Sequence, residues 1–210
     1  MISISVAMIM KQGTLLLRDN MRIAYQEWGV PTATNKILAL HGWLDNSNSF
    51  KILGPYLQSM NYHCIAFDSI GHGKSSHLNP DAIYQPVKAL SYLHEIIELL
   101  EWKTPIDLLG HSMGAGLSLM YAGTFPENIK KLILLEGLGP ITQPDKNAPK
   151  SLRKAIETDK KTYLKTISLG NKTKLYSNFM EAVDARINTV NTYPGKQWLS
   201  KEAAIMLVER

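Results

Sequence analysis

Cysteine is almost absent from this sequence, which contains only Cys64 in 210 residues. A single cysteine excludes any internal disulfide, and its place in an apolar strand pattern predicts a packed thiol rather than a reactive one. Long hydrophobic runs are absent too, because the apolar opening of the chain stops at Lys11 and has no basic residue ahead of it. We therefore predict no signal peptide, no membrane insertion and a cytoplasmic location.

The sequence also lacks the patterns that bind metals, phosphates or nucleic acids. It has no cluster of metal-ligand residues and no glycine-rich phosphate loop, so we expect chemistry that needs no cofactor. The net charge is +5, and the excess of lysine and arginine lies in residues 141–210. These cations follow a helical pattern without interleaved aromatic residues to stack on bases, so we interpret them as a solvated face and expect no nucleic acid partner.

Hydrophobic residues make up 45% of the chain, enough for a substantial core. Short apolar strands alternate with helical patterns as far as about residue 140. This alternation predicts an α/β fold with a mostly parallel, doubly wound sheet, whose functional residues lie at the carboxyl ends of the strands. Four residues with chemically useful side chains directly follow such strands: His41, Asp68, Ser112 and Glu136.

The pattern changes to helices without a clear strand near residue 140. A proline-rich stretch over residues 140–149 marks a linker, so we predict a core over residues 1–140 and a helical cap over residues 141–210. The chain reaches Arg210 within what reads as a helix. Four residues of the predicted cap are apolar and would favour an apolar ligand group: Leu175, Phe179, Met180 and Trp198. Such residues more often pack against one another.

The most informative stretch is Gly110-His111-Ser112-Met113-Gly114, which lies between a buried strand and a helical pattern. A Gly-x-Ser-x-Gly motif in that context is typical of a nucleophile elbow. The sharp turn needs both glycines and holds Ser112 in a strained conformation with its hydroxyl exposed. The main-chain N–H of Met113 opens the helix, so we expect it to stabilise an oxyanion. The alternative is a plain strand–helix turn with a serine N-cap.

Four motifs in order resemble the α/β-hydrolase fold family, from about residue 14 to residue 210. They are Leu40-His41-Gly42-Trp43, the loop from Asp68 to Ser75, the elbow, and the strand that ends at Glu136. The run from His41 to Phe50 is most similar to the serine hydrolase-like proteins. The resemblance implies an α/β-hydrolase fold with a helical cap, whose C-terminal strands have no counterpart in these residues.

The resemblance also assigns roles to individual residues. Trp43 follows the His-Gly pair, so it is implied to supply the second oxyanion amide. His41, Gly42 and His111 are expected at the pocket, and His41 and His72 in structural hydrogen-bonding roles.

A serine at the elbow, where dehalogenases and epoxide hydrolases carry aspartate, implies acyl transfer through an acyl-enzyme that water then hydrolyses. We therefore expect an esterase-like or lipase-like serine hydrolase with a small-molecule acyl substrate; esters, thioesters, lactones and activated C–C bonds stay open.

No histidine follows Ser112, although the family places its catalytic histidine after the nucleophile and the acid. Three interpretations stay open: a histidine supplied by sequence beyond Arg210, a catalytically inactive binding or interaction module, and an upstream histidine recruited as the base. Neighbouring residues at an elbow point in different directions, which argues against His111 in that role. Glu136 is a candidate acid, or else a carboxylate held by loop amides. Missing strands would also expose a sheet edge through which the protein could self-associate.

Overall fold

The computed structural model of the protein describes residues 10–79, 82, 84–137, 145–169, 175–193 and 197–210. The strands within this part are β1 (Met10–Leu16), β2 (Arg22–Trp28), β3 (Asn35–Leu40), β4 (Tyr62–Phe67), β5 (Ile106–His111) and β6 (Ile129–Leu135). The helices are α1 (Leu53–Ser59), α2 (Pro86–Leu99), α3 (Met113–Thr124), α4 (Ala148–Leu169), α5 (Phe179–Asn191) and α6 (Lys201–Val208).

These strands form one sheet in the order β1-β2-β4-β3-β5-β6. Strands β1 and β2 form an antiparallel hairpin, and β2 is also antiparallel to β4. The other neighbours are parallel, which confirms the mostly parallel sheet predicted from the sequence. Since parallel strands point the same way, the carboxyl ends of β3, β4, β5 and β6 meet at one edge of the sheet.

Both faces of the central strands β3, β4 and β5 are buried, as continuous apolar strands require, whereas the edge strands β1 and β6 are partly exposed. In β3, Leu38 and Leu40 belong to the core under α2 and α3, whereas Ile37 and Ala39 belong to the core under α1. Cys64 lies in the second core and is completely buried, and this burial raises the pKa of its thiol to about 12. The prediction of a packed, unreactive thiol is confirmed.

The C-terminal helices join the core at the loop that follows β3. The side-chain amide of Asn46 donates to the main-chain carbonyl of Leu207 at 2.8 Å, and that of Asn48 donates to the carbonyl of Met206. These two amides satisfy carbonyls that the end of α6 leaves without helical partners. The loop after β3 is therefore fixed from the side of the predicted cap.

Helix α6 ends at Val208, so the prediction that the chain reaches Arg210 within a helix is wrong. The Arg210 side chain folds back onto the core instead, with its Nε 2.9 and 2.8 Å from the two carboxylate oxygens of Asp68. Both side chains are almost fully buried, at 2% and 0% exposure. A buried ion pair thus connects the end of α6 to the loop after β4.

Two predictions concern residues outside the described part. The boundary between core and cap, at residues 140 and 141, and most of the apolar opening, residues 1–9, both lie there. The two-part division therefore stays a prediction. Within the described part, none of the helices combines the length and the hydropathy needed to cross a bilayer.

Candidate active site

Strand β5 passes into α3 at Ser112 through a backbone conformation that few residues adopt. Ser112 has φ 50° and ψ −111°, a strained combination for any residue with a side chain. Its N–H donates to the carbonyl of Leu135 at 2.9 Å, and its own carbonyl accepts from Ala115 and Gly116 at 3.0 and 3.1 Å. Strand β6 and the first turn of α3 hold the strained residue from both sides, which is the strand–turn–helix geometry expected of an elbow.

The two glycines of the motif are required by close backbone approaches. A Cβ on Gly110 would lie 2.3 Å from the carbonyl oxygen of Gly114. A Cβ on Gly114 would lie 2.3 Å from the carbonyl oxygen of Leu40, at the end of β3. Helix α3 can therefore begin directly against the strand ends only if both positions lack a side chain.

Ser112 is exposed and borders a cleft of about 740 Å³ that Trp43 and Met113 also border. The main-chain N–H groups of Trp43 and Met113 have no hydrogen-bond acceptor within the described residues. Unpaired N–H groups at a helix start carry partial positive charge. Ser112 and two residues with unpaired N–H groups border the same cleft, and a hydroxyl with two such donors is what attack on a carbonyl and stabilisation of the resulting negative oxygen require.

Among the described residues, the rest of the cleft lining is mostly apolar and comes from the core rather than from the predicted cap. Its walls are helices α2 and α3, and its floor belongs to strands β2 and β4. The main apolar residues that border it are Ile23, Phe67, Tyr92, Leu93, Ile96, Leu117 and Met120. The helical spacing of Tyr92, Leu93 and Ile96 is visible in the sequence, but the same spacing is typical of ordinary core packing, so the cleft could not be read from it.

The prediction that cap residues shape the pocket is wrong for the residues it named. Leu175 and Trp198 are 87% and 77% exposed, and Phe179 and Met180 are exposed as well. None of these four borders the cleft. Helical periodicity shows that a face is apolar but does not show which neighbour that face meets.

His41 has the structural hydrogen-bonding role that the resemblance implied, but it does not border the cleft, although the resemblance placed it at the pocket. Its Nε2 accepts a hydrogen bond from the N–H of Ser69 at 2.9 Å, so its Nδ1 carries the proton and donates to the carbonyl of Gly42 at 2.7 Å. Burial lowers the pKa of His41 to about 4. The ring is therefore neutral with both nitrogens occupied, which leaves it unable to act as a base.

His111 lies between two carboxylates and does not border the cleft either. Its Nδ1 is 3.6 Å from Asp45, and its Nε2 is 3.8 Å from Glu136. The contact with Asp45 is the largest cause that raises the pKa of His111, and it outweighs the lowering effect of burial. Gly42 provides the space, since a Cβ there would lie 2.9 Å from Nδ1 of His111.

Asp45 contacts two basic side chains. Arg186 of α5 forms an ion pair with its Oδ1, and His111 approaches its Oδ2. Burial alone would raise the pKa of Asp45, but the contact with His111 and the charge of Arg186 outweigh it and lower that pKa. Asp45 thus stays ionised and connects helix α5 to the residue beside Ser112.

Glu136 borders the cleft at the end of β6, in the left-handed region at φ 50°. Its side chain is 79% exposed. Within the described residues no main-chain N–H donates to its carboxylate, so the alternative of a carboxylate held by loop amides has no contact to support it. Its carboxylate lies 3.8 Å from Nε2 of His111.

No histidine in the described part of the chain is hydrogen-bonded to Ser112. His72 borders the cleft, but its Nδ1 faces the carbonyl of Ile70 at 3.2 Å and its ring packs 5.5 Å from that of Trp43. Burial lowers the pKa of His72. The other histidines do not border the cleft: His41, His63, His77, His94 and His111.

Comparison with known proteins gives a family and several similar folds. The family described as the alpha/beta hydrolase fold matches residues 35–199. A serine hydrolase-like protein of Dictyostelium discoideum is 32% identical over 188 residues, which are 90% of this chain and 48% of that protein. The chain spans about half the length of the curated relatives it matches, since a second one, from Danio rerio, is covered over 53%.

Two solved structures resemble the fold over almost the whole chain. A hypothetical protein of Pseudomonas aeruginosa has a TM-score of 0.78 at 33% identity, covering 95% of this chain and 65% of that one. A thioesterase domain from the curacin biosynthetic pathway has a TM-score of 0.75 at 25% identity, covering 96% and 67%. The fold and the resemblance inferred from the four motifs are confirmed.

Proposed function

Because this chain belongs to the α/β-hydrolase family, we propose that it carries the nucleophile and the oxyanion hole of a serine hydrolase for carboxylic esters or related acyl compounds. Ser112 is the nucleophile, and the N–H groups of Trp43 and Met113 are the oxyanion donors. The observation that carries the proposal is the strained, exposed Ser112 at the start of α3, in a cleft that both of these residues border.

The proposed reaction proceeds through an acyl-enzyme. The Ser112 hydroxyl attacks the carbonyl carbon and loses its proton to a base, and the carbonyl oxygen becomes an anion that accepts hydrogen bonds from the two N–H groups. Collapse of this intermediate breaks the bond to the leaving group, which takes the proton back from the base and departs as an alcohol or thiol. Water then attacks the acyl-enzyme in the same way and releases the carboxylic acid.

The base comes from sequence beyond Arg210 in this proposal. Two observations support it: no histidine in the described residues is hydrogen-bonded to Ser112, and the chain spans about half the length of its curated relatives. Glu136 fits the role of the acid that orients such a histidine, because its exposed carboxylate borders the cleft at the end of β6. Similarity to a thioesterase domain supports an acyl substrate. A cytoplasmic location and a small-molecule partner stay predictions.

A fluorophosphonate probe tests the nucleophile. We expect slow labelling of the chain, acceleration by added imidazole as a substitute base, and a mass-spectrometric map that places the label on Ser112. Oxyanion stabilisation and binding alone leave roughly 10³–10⁴-fold catalysis over water in triad enzymes, which makes a slow reaction measurable. Ser112→Ala should abolish labelling, whereas Ser91→Ala, an exposed serine on α2 away from the cleft, should leave it unchanged.

The same experiment separates the enzyme from a catalytically inactive binding module. Labelling that survives Ser112→Ala would remove Ser112 as the nucleophile. Absence of labelling both with imidazole and in a longer chain that contains a downstream histidine would favour the binding module.

A further inference from the structure

The cleft beside Ser112 has a floor made of side chains that are otherwise core residues. Ile23, Phe67, Leu93 and Ile96 are only 1% to 3% exposed, yet all four border a space of about 740 Å³. Protein interiors are normally packed without voids of that size. An apolar space of several hundred cubic ångströms that opens beside a reactive group is typical of a small-molecule site.

Formal charge occurs only at the rim of this cleft, among the described residues that border it. The side chains of Lys88 and Glu136 are 53% and 79% exposed. Lys88 is engaged by Asp19 at 3.3 Å and lies 4.4 Å from the ring centre of Tyr92. A charged group that entered the interior would lose its water without gaining an ionic partner, which excludes charged groups from the inner part of the cleft.

The wall formed by α3 sets the length of the chain that the cleft can hold. It runs from Ser112 at one end to Met120, and both residues border the cleft. These eight residue steps correspond to about 12 Å at about 1.5 Å per residue. An extended alkyl chain advances by about 1.25 Å per carbon for carbon–carbon bonds of about 1.5 Å, so the wall accommodates roughly ten carbons.

We propose that this cleft binds the acyl part of the substrate, a straight and uncharged aliphatic chain of up to about ten carbons, and that the leaving group stays on the solvent side of Ser112. The proposal rests on the proposed function of Ser112, because it is the attack by that residue that makes the bound chain an acyl group. The substrate class is then medium-chain aliphatic esters or thioesters.

Calorimetric titration with methyl ketones of increasing chain length tests the cleft without requiring catalysis. The ketones are neutral and carry the carbonyl without a leaving group. We expect affinity to rise by about fourfold for each added methylene until the chain reaches about ten carbons, and then to level off.

Two tryptophan substitutions on α2 form a matched pair. Ala89 borders the cleft, so Ala89→Trp should fill it and abolish the dependence on chain length. Val87 lies on the same helix, is 70% exposed and does not border the cleft, so Val87→Trp should bind as the unmodified chain does. Met120→Trp should move the plateau to shorter chains, a change of length limit that misfolding cannot produce.

The outcomes separate this inference from the proposed function. Affinity that does not depend on chain length, equal effects of Ala89→Trp and Val87→Trp, or an unchanged plateau in Met120→Trp would each overturn the inference, even if fluorophosphonate labels Ser112. Ketone binding with the expected length limit but no labelling of Ser112 under any condition would overturn the acyl assignment together with the proposed function.

Discussion

Removal of the Arg210 side chain should destabilise the protein far more than its position at the end of the sequence suggests. In the folded chain Asp68 is completely buried and accepts four hydrogen-bond contacts. Two come from Nε of Arg210, and the others come from the N–H groups of Ser47 at 2.8 Å and Lys74 at 2.9 Å. Arg210→Met keeps an apolar stem but leaves a buried carboxylate without its counter-ion.

The expected loss is about 3 kcal/mol. Removing one partner of a buried ion pair typically costs about 3–5 kcal/mol, because an uncompensated charge remains. The lower end applies here, since Asp68 keeps the two main-chain donors. For a domain of this size, about 3 kcal/mol corresponds to a fall in melting temperature of roughly 6–12 °C.

Urea unfolding followed by circular dichroism measures this loss, and an exposed pair between the same segments provides the control. Lys51 and Glu209 are 2.9 Å apart, and their side chains are 39% and 46% exposed. Lys51→Met should therefore cost at most about 1 kcal/mol. If Arg210→Met and Lys51→Met lower the free energy of unfolding equally, the buried pair does not fix the end of α6 and this reasoning fails.

Three further predictions concern the elbow, the core and pH. Gly114→Ala should lower the free energy of unfolding by more than about 2 kcal/mol, because its Cβ would overlap the Leu40 carbonyl. A Cβ at Gly123 on the same helix meets no atom within 4 Å, so Gly123→Ala should raise the free energy of unfolding by about 0.5–1 kcal/mol. Urea unfolding of both variants checks this. Cys64 should react with a thiol reagent such as Ellman's reagent only in the unfolded chain, and native reaction would contradict its burial. The contact with Asp45 raises the pKa of His111 in the folded state. The stability that this contact contributes is fully present below the unfolded pKa of about 6.5 and is lost as the pH rises through the folded pKa. His111→Gln should then cost more stability at about pH 5 than at about pH 8, and an equal cost at both would refute the shift.

The parts of the fold that depend on local pattern could be predicted from the sequence. Apolar runs of four to six residues gave the parallel strands, because a strand buried on both faces carries no polar alternation. The elbow followed from two glycines around Ser112, since the backbone there approaches Leu40 too closely for any other residue. The structural role of His41 was implied by the resemblance rather than by local pattern, and its hydrogen bond from the N–H of Ser69 agrees with that role.

The parts that depend on distant contacts could not be predicted. The ion pair of Arg210 with Asp68 joins residues that no local pattern relates. The cleft walls on α2 have the spacing of ordinary core residues, and only the position of α3 leaves a space between them. The neighbours of apolar cap residues such as Trp198 could not be predicted either, because periodicity gives an apolar face but not what that face meets.

The central claim is that Ser112 presents its hydroxyl to a carbonyl whose oxygen meets the N–H groups of Trp43 and Met113. The most direct test is a crystal structure of the fluorophosphonate adduct. We expect phosphorus bonded to Oγ of Ser112 and the phosphoryl oxygen about 2.7–3.1 Å from both main-chain nitrogens. An adduct on another residue, or a phosphoryl oxygen that contacts neither nitrogen, would contradict the account.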